Sequence, residues 1–126
     1  MIRHLMIIGC GGFIGAVLRY LVSGWIQQIS RSGTFPWGTL GVNCIGCFII
    51  GGLGGLVENH ELFSPEIRLF VLVGILGGFT TFSTFSYETL ALIRDQEIVS
   101  VFINILGHIV LGISAAWLGY TTAQYT

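Results

Sequence analysis

One stretch of the sequence combines residue types that could bind an ion: two adjacent glycines followed by hydroxyl and aromatic side chains. It runs from Gly77 to Tyr87 and reads Gly-Gly-Phe-Thr-Thr-Phe-Ser-Thr-Phe-Ser-Tyr. Glycine lowers helix stability, and Ser and Thr hydroxyls compete for backbone hydrogen bonds. At membrane depth, carbonyl groups and helix N-termini freed by a break become ion-binding groups. We therefore predict a helix break here; the alternative is a continuous packing helix rich in hydroxyls.

The aromatic residues that follow the predicted break suggest that the ion is an anion. Phe82 and Phe85 are three residues apart and share one helical face, with Ser83, Thr84 and Ser86 interleaved. Ring edges carry partial positive charge and hydroxyls donate hydrogen bonds, so together they can replace water around a small anion. The alternative is that both rings pack in the core.

Several polar residues lie in otherwise apolar surroundings and need a reason to be there. Arg19 either attracts an anion or extends to the membrane surface. Asn43 carries an amide that is costly to bury without partners. Glu88 faces either a polar path or water. Asn104 and His108 are four residues apart and share one face of the fourth span. A histidine at such a position either packs against its neighbours or binds a ligand.

The elements that position these residues are membrane helices. Of the 126 residues, 53% are hydrophobic and only 9% are charged, against about a quarter charged in a soluble domain. A helix needs about 20 apolar residues to cross a bilayer. The sequence therefore predicts an all-α protein with a single transmembrane domain, residues 1–126, and spans at about residues 5–26, 36–57, 68–88 and 98–120.

Charge is concentrated between the predicted spans, at Arg31, at Glu58, Glu61, Glu66 and Arg68, and at Arg94, Asp95 and Glu97. With four spans, Arg3 and Arg68 share one side of the membrane, and Arg31 and Arg94 share the other. Orientation follows the excess of Lys and Arg in short cytoplasmic loops, so this balance predicts insertion in both orientations. With a net charge of −1 and no basic patch, a nucleic-acid partner is excluded.

Three glycine pairs at four-residue spacing predict close helix approach: Gly11 and Gly15, Gly51 and Gly55, and Gly74 and Gly78. The approach is either within one chain or between two copies. Cys44 and Cys47 lie in an apolar stretch and are interpreted as packing residues rather than a redox or zinc site. The sequence has no metal cluster, catalytic triad or phosphate loop, and so predicts no enzyme.

Taken together, these motifs resemble the Fluc (CrcB) family of fluoride channels over essentially the whole chain. The resemblance rests on Gly11-Gly12-x-x-Gly15-Ala16-x-x-Arg19-Tyr20, on Gly38-Thr39-Leu40-x-Val42-Asn43-x-x-Gly46-x-Phe48, and above all on Gly77 to Phe85 followed by Glu88. It implies a passive, fluoride-selective channel in the bacterial inner membrane that relieves fluoride toxicity. It also implies an antiparallel homodimer with two pores and a central, structural sodium ion.

The resemblance also assigns roles to single residues. Phe82 and Phe85 match the paired pore aromatics and Asn43 the pore-lining asparagine, while Gly77 and Thr80 match the positions whose backbone carbonyls hold sodium. Arg19 matches an arginine near the aqueous vestibule. His108 replaces a serine that is frequent in related sequences, which leaves its role open. The remaining matches form a polar track: Thr39, Ser83, Thr84 and Glu88.

Two other functions fit four short spans. A small four-helix multidrug-type transporter would need a membrane-embedded carboxylate, and Glu88, at the end of its span, is the nearest one in the first three spans. A non-transporting assembly subunit would have no use for a hydroxyl-flanked break beside Asn43. The residues alone do not distinguish fluoride from chloride, so the choice of ion depends on the resemblance.

Overall fold

The computed structural model describes residues 1–31, 33–60 and 63–126. In these residues the chain is all-helical, and four helices are long and apolar enough to cross a membrane. The four predicted spans are therefore confirmed. Three of them are single helices: α1 (Ile2–Ser30), α2 (Trp37–His60) and, last in the chain, α6 (Ile98–Gln124). Glu61, predicted to lie in the second linker, is outside the described residues.

The third span, Pro65–Arg94, consists of four pieces. Ser64 caps α3 (Pro65–Arg68), and a π-helical segment, Leu69–Leu76, leads into α4 (Gly77–Phe79). Thr80 and Thr81 then have extended backbone, with ψ angles of 156° and 122°, before α5 (Phe82–Arg94) begins. Within the stretch Gly77 to Tyr87, where a break was predicted, the two adjacent glycines are helical and the extended residues are Thr80 and Thr81. The π-helical segment was not expected.

The third span changes its packing partner along its length. The π-helical segment and α4 pack on α1, whereas α5 packs on α6. The most extensive helix pair in the chain is α2 with α6, and α1 also contacts α2. The extended residues Thr80 and Thr81 therefore lie where the span passes from one set of neighbours to the other.

Glycines bring α1 and the third span into backbone contact. A Cβ atom added at Gly11 would lie 2.9 Å from the Cα of Gly74, and one at Gly78 would lie 2.7 Å from the carbonyl oxygen of Gly12. A Cβ at Gly15 would meet the backbone of the same span. Because no larger residue fits at this distance, these glycines serve packing within one chain.

The same holds between α2 and α6. A Cβ at Gly51 would meet the carbonyl group of Ala116, and one at Gly55 would lie 2.9 Å from the carbonyl oxygen of Tyr120. All three predicted glycine pairs are thus used inside the protomer. The close approach at each pair is therefore explained within one chain, and a contact of these faces between two copies stays a prediction.

Candidate functional site

A single side-chain amide fixes the extended segment between α4 and α5. Asn43, on α2, donates from Nδ2 to the carbonyl oxygen of Thr81 at 3.1 Å, and its Oδ1 accepts from the Thr81 N–H at 3.0 Å. Thr81 also caps α5, since its Oγ1 accepts from the Thr84 N–H at 3.2 Å. The amide predicted to need partners therefore satisfies the backbone groups that would otherwise be unpaired at membrane depth.

His108, which is on α6, lies beside the amide of Asn43. Its Nε2 is 3.1 Å from Asn43 Nδ2, and its Nδ1 is 2.9 Å from the main-chain oxygen of Asn104. A carbonyl oxygen only accepts, so Nδ1 carries the proton and donates it. Nε2 is then the acceptor for the second N–H of Asn43. This arrangement requires the neutral imidazole.

A second set of hydrogen bonds connects α6 to α5. Asn104, completely buried, donates from Nδ2 to Thr89 Oγ1 at 2.9 Å, and Thr89 Oγ1 donates to the carbonyl oxygen of Phe85 at 2.7 Å. Oδ1 of Asn104 is buried with no partner among the described residues. The position of Phe85 is thus determined by α6 as well as by its own helix.

The two candidate pore rings are adjacent. The ring centroids of Phe82 and Phe85 are 5.5 Å apart, and those of Phe85 and His108 are 4.2 Å apart, with tilted planes in both pairs. Phe82 is 79% exposed. Two phenylalanines and an imidazole thus form one aromatic row, and the Phe82 end of the row lacks cover from its own chain.

These groups line a groove of about 660 Å³, which we call the first groove. Its polar wall is the extended segment with the amide and imidazole described above, and its remaining wall is apolar. The free thiols of Cys44 and Cys47 lie along it, as do Gly77 and Thr80. The lining includes Asn43, Gly77, Thr80, Thr81, Phe82, Phe85 and His108.

A second groove of about 680 Å³ lies on the other side of Thr81, which lines both. Here the buried Thr39 donates from Oγ1 to Glu88 Oε1 at 2.7 Å, and Oε2 of Glu88 is buried with no partner among the described residues. Arg19 and Thr84 line the same groove. It therefore brings a cationic, an anionic and several hydroxyl side chains together.

The α1–α2 connection positions the start of this second groove. Gln27, near the end of α1, donates from Nε2 to the Phe35 carbonyl oxygen at 2.9 Å and accepts at Oε1 from the Gly38 N–H at 3.0 Å. Both contacts come from one amide. They hold the first turn of α2, and with it Thr39, against α1.

The structure thus divides the predicted site residues between the two grooves. Ser83 is exposed and its Oγ is 3.2 Å from Thr81 Oγ1, so it lies at the edge of this arrangement. Sequence reasoning missed the clamp at Thr81 and the roles of Thr89 and Gln27. A signal existed for Thr89, a hydroxyl one turn after Phe85; for Gln27 there was none.

Comparison with known proteins gives consistent matches. The family model described as CrcB-like protein, Camphor Resistance (CrcB), matches residues 6–120. The fluoride-specific ion channel FluC 1 of Methanosarcina acetivorans is 44% identical over 119 residues, 94% of this chain and 89% of the relative. Proteins named fluoride-specific ion channel FluC are also 44% identical in Chlorobium phaeobacteroides, over 95% of this chain and 92% of the relative, and in Oceanobacillus iheyensis, over 98% and 93%.

Proposed function

The chain belongs to the CrcB family, and on that premise we propose that it is a fluoride-selective passive channel and not an enzyme. It is a multi-pass membrane protein. The observation that carries the proposal is the first groove, where an amide, an imidazole and two phenylalanine rings line one side of a cavity within membrane helices. Among the described residues that line this groove there is no Asp or Glu. This argues against a proton-coupled exporter, which would need a carboxylate there.

We propose that the second groove is the aqueous entrance and the first groove the narrow part of the path. Arg19 supplies positive charge where the anion enters, and Thr39 and Thr84 supply hydroxyl donors beside Glu88. Thr81 lines both grooves and marks the transition between them. Beyond it, the edges of Phe82 and Phe85 replace part of the water around the ion. Ser83 completes the row of hydroxyl groups at this transition.

We propose an antiparallel homodimer with two pores, and the incomplete first groove supports the presence of a second copy. Polar backbone at membrane depth must be covered by protein or face a water-filled cavity, because lipid cannot form hydrogen bonds with it. The exposed ring of Phe82 points to a missing wall. Gly77 gives a second argument: a Cβ there would meet only the Leu72 carbonyl oxygen, at 4.0 Å, so its own chain does not require glycine. A second copy, inserted in the opposite orientation, supplies the wall and the close approach.

The residues at Gly77 and Thr80 fit a structural sodium ion. The Thr81 N–H donates to Asn43 Oδ1 and not to the Gly77 carbonyl, which would be its partner in a continuous helix. The extended backbone of Thr80 turns its own carbonyl away from the helix axis. Carbonyl oxygens are suitable ligands for a hard cation. We propose that both carbonyls would bind sodium at the dimer contact. The ion would then stabilise the pairing of the two subunits.

The biological role we propose is release of fluoride across the inner membrane of a bacterium, which relieves fluoride toxicity. Fluoride moves down its own gradient and needs no energy source.

Purified protein in liposomes tests this function. We expect fluoride to leave loaded vesicles at rates well above those of protein-free vesicles, while chloride is retained. Fluoride release is measured with a fluoride-selective electrode, and a potassium ionophore is added to dissipate the membrane potential. Equal release of fluoride and chloride, or fluoride release no faster than from empty vesicles, would contradict the proposal.

A further inference from the structure

We propose that the protonation state of His108 decides whether the amide of Asn43 is free to bind the anion, and that the protonated ring binds the anion together with this amide. The neutral imidazole accepts a hydrogen bond from one amide N–H of Asn43. The protonated imidazole can no longer accept it, so this N–H becomes free for another acceptor, and the ring adds an N–H of its own. This inference rests on the proposed function and assigns a role to His108, whose role the family resemblance leaves open.

The count of donors leads to this conclusion. An asparagine amide has two N–H groups, and in Asn43 one donates to the Thr81 carbonyl oxygen and the other to His108 Nε2. The single acceptor oxygen is bound by the Thr81 N–H. In this state Asn43 lines the first groove without an N–H for an incoming anion.

A proton on His108 Nε2 changes the pair. Nδ1 stays bound to the main-chain oxygen of Asn104, so the added proton can only sit on Nε2. That atom and Asn43 Nδ2, now 3.1 Å apart, would then both be donors, and two donors cannot satisfy one another. A small anion between them accepts from both, and the imidazolium adds a positive charge. The Phe85 ring, 4.2 Å away, faces a cation in this state.

Few other titratable groups face His108. On α2, Cys44 and Cys47 line the same groove, while the described lining residues of the third span are apolar, aromatic, Gly or Thr. On α6, His108 is the sole His, Asp, Glu, Lys or Arg between residues 98 and 124. Arg19 and Glu88 line the second groove, where Glu88 is bound to Thr39. An ordinary thiol titrates at about pH 8.5 and an imidazole at about 6.5, so a dependence on pH that is centred in the imidazole range and arises in the first groove points to His108.

The first experiment compares fluoride flux at several pH values, from about 8 to about 5, the range in which imidazole titrates. The proteins are the native chain, His108→Gln and His108→Ser, each corrected with protein-free vesicles at the same pH. Native flux should rise about tenfold on acidification, since a charge-assisted hydrogen bond contributes roughly that factor to anion binding. In His108→Gln, an amide can accept from Asn43 and donate to Asn104 but takes up no proton. Its flux should therefore lack the rise on acidification.

His108→Ser should give a flat profile as well, because a short hydroxyl does not occupy the amide as the imidazole does. A native profile that is flat, or a His108→Gln variant that keeps the full rise, would overturn the inference while leaving the channel function intact. Absence of native flux at every pH would instead overturn the function.

A second measurement uses the native protein and avoids any folding defect of a variant. Nitrogen NMR of the His108 ring, assigned by its loss in His108→Gln, reports the protonated fraction. If protonation favours fluoride binding, fluoride must favour protonation by the same factor. Saturating fluoride at fixed pH should therefore increase the protonated fraction, and chloride should not. A His108 signal that ignores fluoride would contradict the proposal.

Discussion

Asn43 binds the N–H and the carbonyl oxygen of one residue, Thr81, at 3.0 and 3.1 Å. Because both contacts come from one planar amide, they fix the orientation of the extended backbone and not only its distance from α2. The start of α5, and with it Phe82, depends on this orientation.

Replacing Asn43 with alanine should therefore damage both stability and conduction. Two backbone groups of Thr81 would lose their partners, which costs about 1–3 kcal/mol for each buried group. We expect a lower unfolding temperature in detergent and fluoride flux reduced at least about tenfold. Gln28→Ala is a matched control, because Gln28 is an exposed amide on α1. Equal behaviour of the two variants would show that the Thr81 contact is unimportant.

The ring edges of Phe82 and Phe85 can be tested by replacing each residue with isoleucine. Bulk and hydrophobicity are kept, but the positive ring edge is lost. Flux should fall about tenfold for each variant, the factor that corresponds to about 1.4 kcal/mol, with unchanged assembly in gel filtration. Phe13→Ile, on the exposed face of α1, should conduct normally. Variants that assemble poorly yet conduct normally per folded dimer would assign these rings to packing.

The glycine contacts predict a contrast between two small substitutions. Gly51→Ala places a methyl group against the carbonyl of Ala116, whereas a Cβ at Gly24 would find no atom within 4 Å. Gly51→Ala should lower the stability by about 1–3 kcal/mol through overpacking. Gly24→Ala should raise it by about 0.5–1 kcal/mol, because alanine favours the helix. Thermal unfolding in detergent measures both, and similar values would refute the close α2–α6 contact.

Much of the fold followed from the sequence, since four apolar stretches of sufficient length have no stable alternative to membrane helices. The need of Asn43 for partners was also predictable, because it follows from the chemistry of a buried amide. The identity of its partner was not. Thr81 is 38 residues away, and pairing at that separation depends on how the helices pack.

The same limit explains the glycines. Their spacing indicated close approach but did not distinguish a neighbour in the same chain from one in another copy, and the structure assigns Gly51 to Ala116. The irregular backbone was expected within the stretch from Gly77 to Tyr87, and the extended residues of that stretch are Thr80 and Thr81. Helix propensity favoured the glycines, but the hydroxyl of Thr81 caps α5 and determines where that helix begins.

Sodium binding by backbone oxygens predicts a mild effect of side-chain truncation. Thr80→Ala removes the hydroxyl, which donates to the Leu76 carbonyl oxygen at 2.9 Å, but leaves the Thr80 carbonyl in place. Dimer stability should depend on sodium in the native protein and equally in this variant. The test is dissociation of the dimer in detergent with sodium replaced by a bulky organic cation at the same ionic strength. Loss of the sodium dependence in Thr80→Ala would show that the hydroxyl is the ligand.

The balanced arginines predict that membrane orientation is easily biased. Gln96→Lys with Glu97→Lys adds two positive charges to the third linker, which should direct that linker to the cytoplasm. Reporters fused to the C-terminus should show both locations for the native chain and one for this variant, with flux strongly reduced. Gln96→Asn with Glu97→Gln is the control, because neutral residues carry no orientation signal. A native C-terminus found on one side only would end the dual-orientation hypothesis.

The change of packing partner at Thr80 and Thr81 gives the third span a mechanical role. Its first half packs on α1 and its second half on α6, so any sliding of one helix set past the other would be concentrated in two residues. The strain of such a movement would act directly on the amide of Asn43 and thus on the width of the first groove. Compounds or bilayer changes that shift α1 relative to α6 should therefore alter conduction without touching a pore residue.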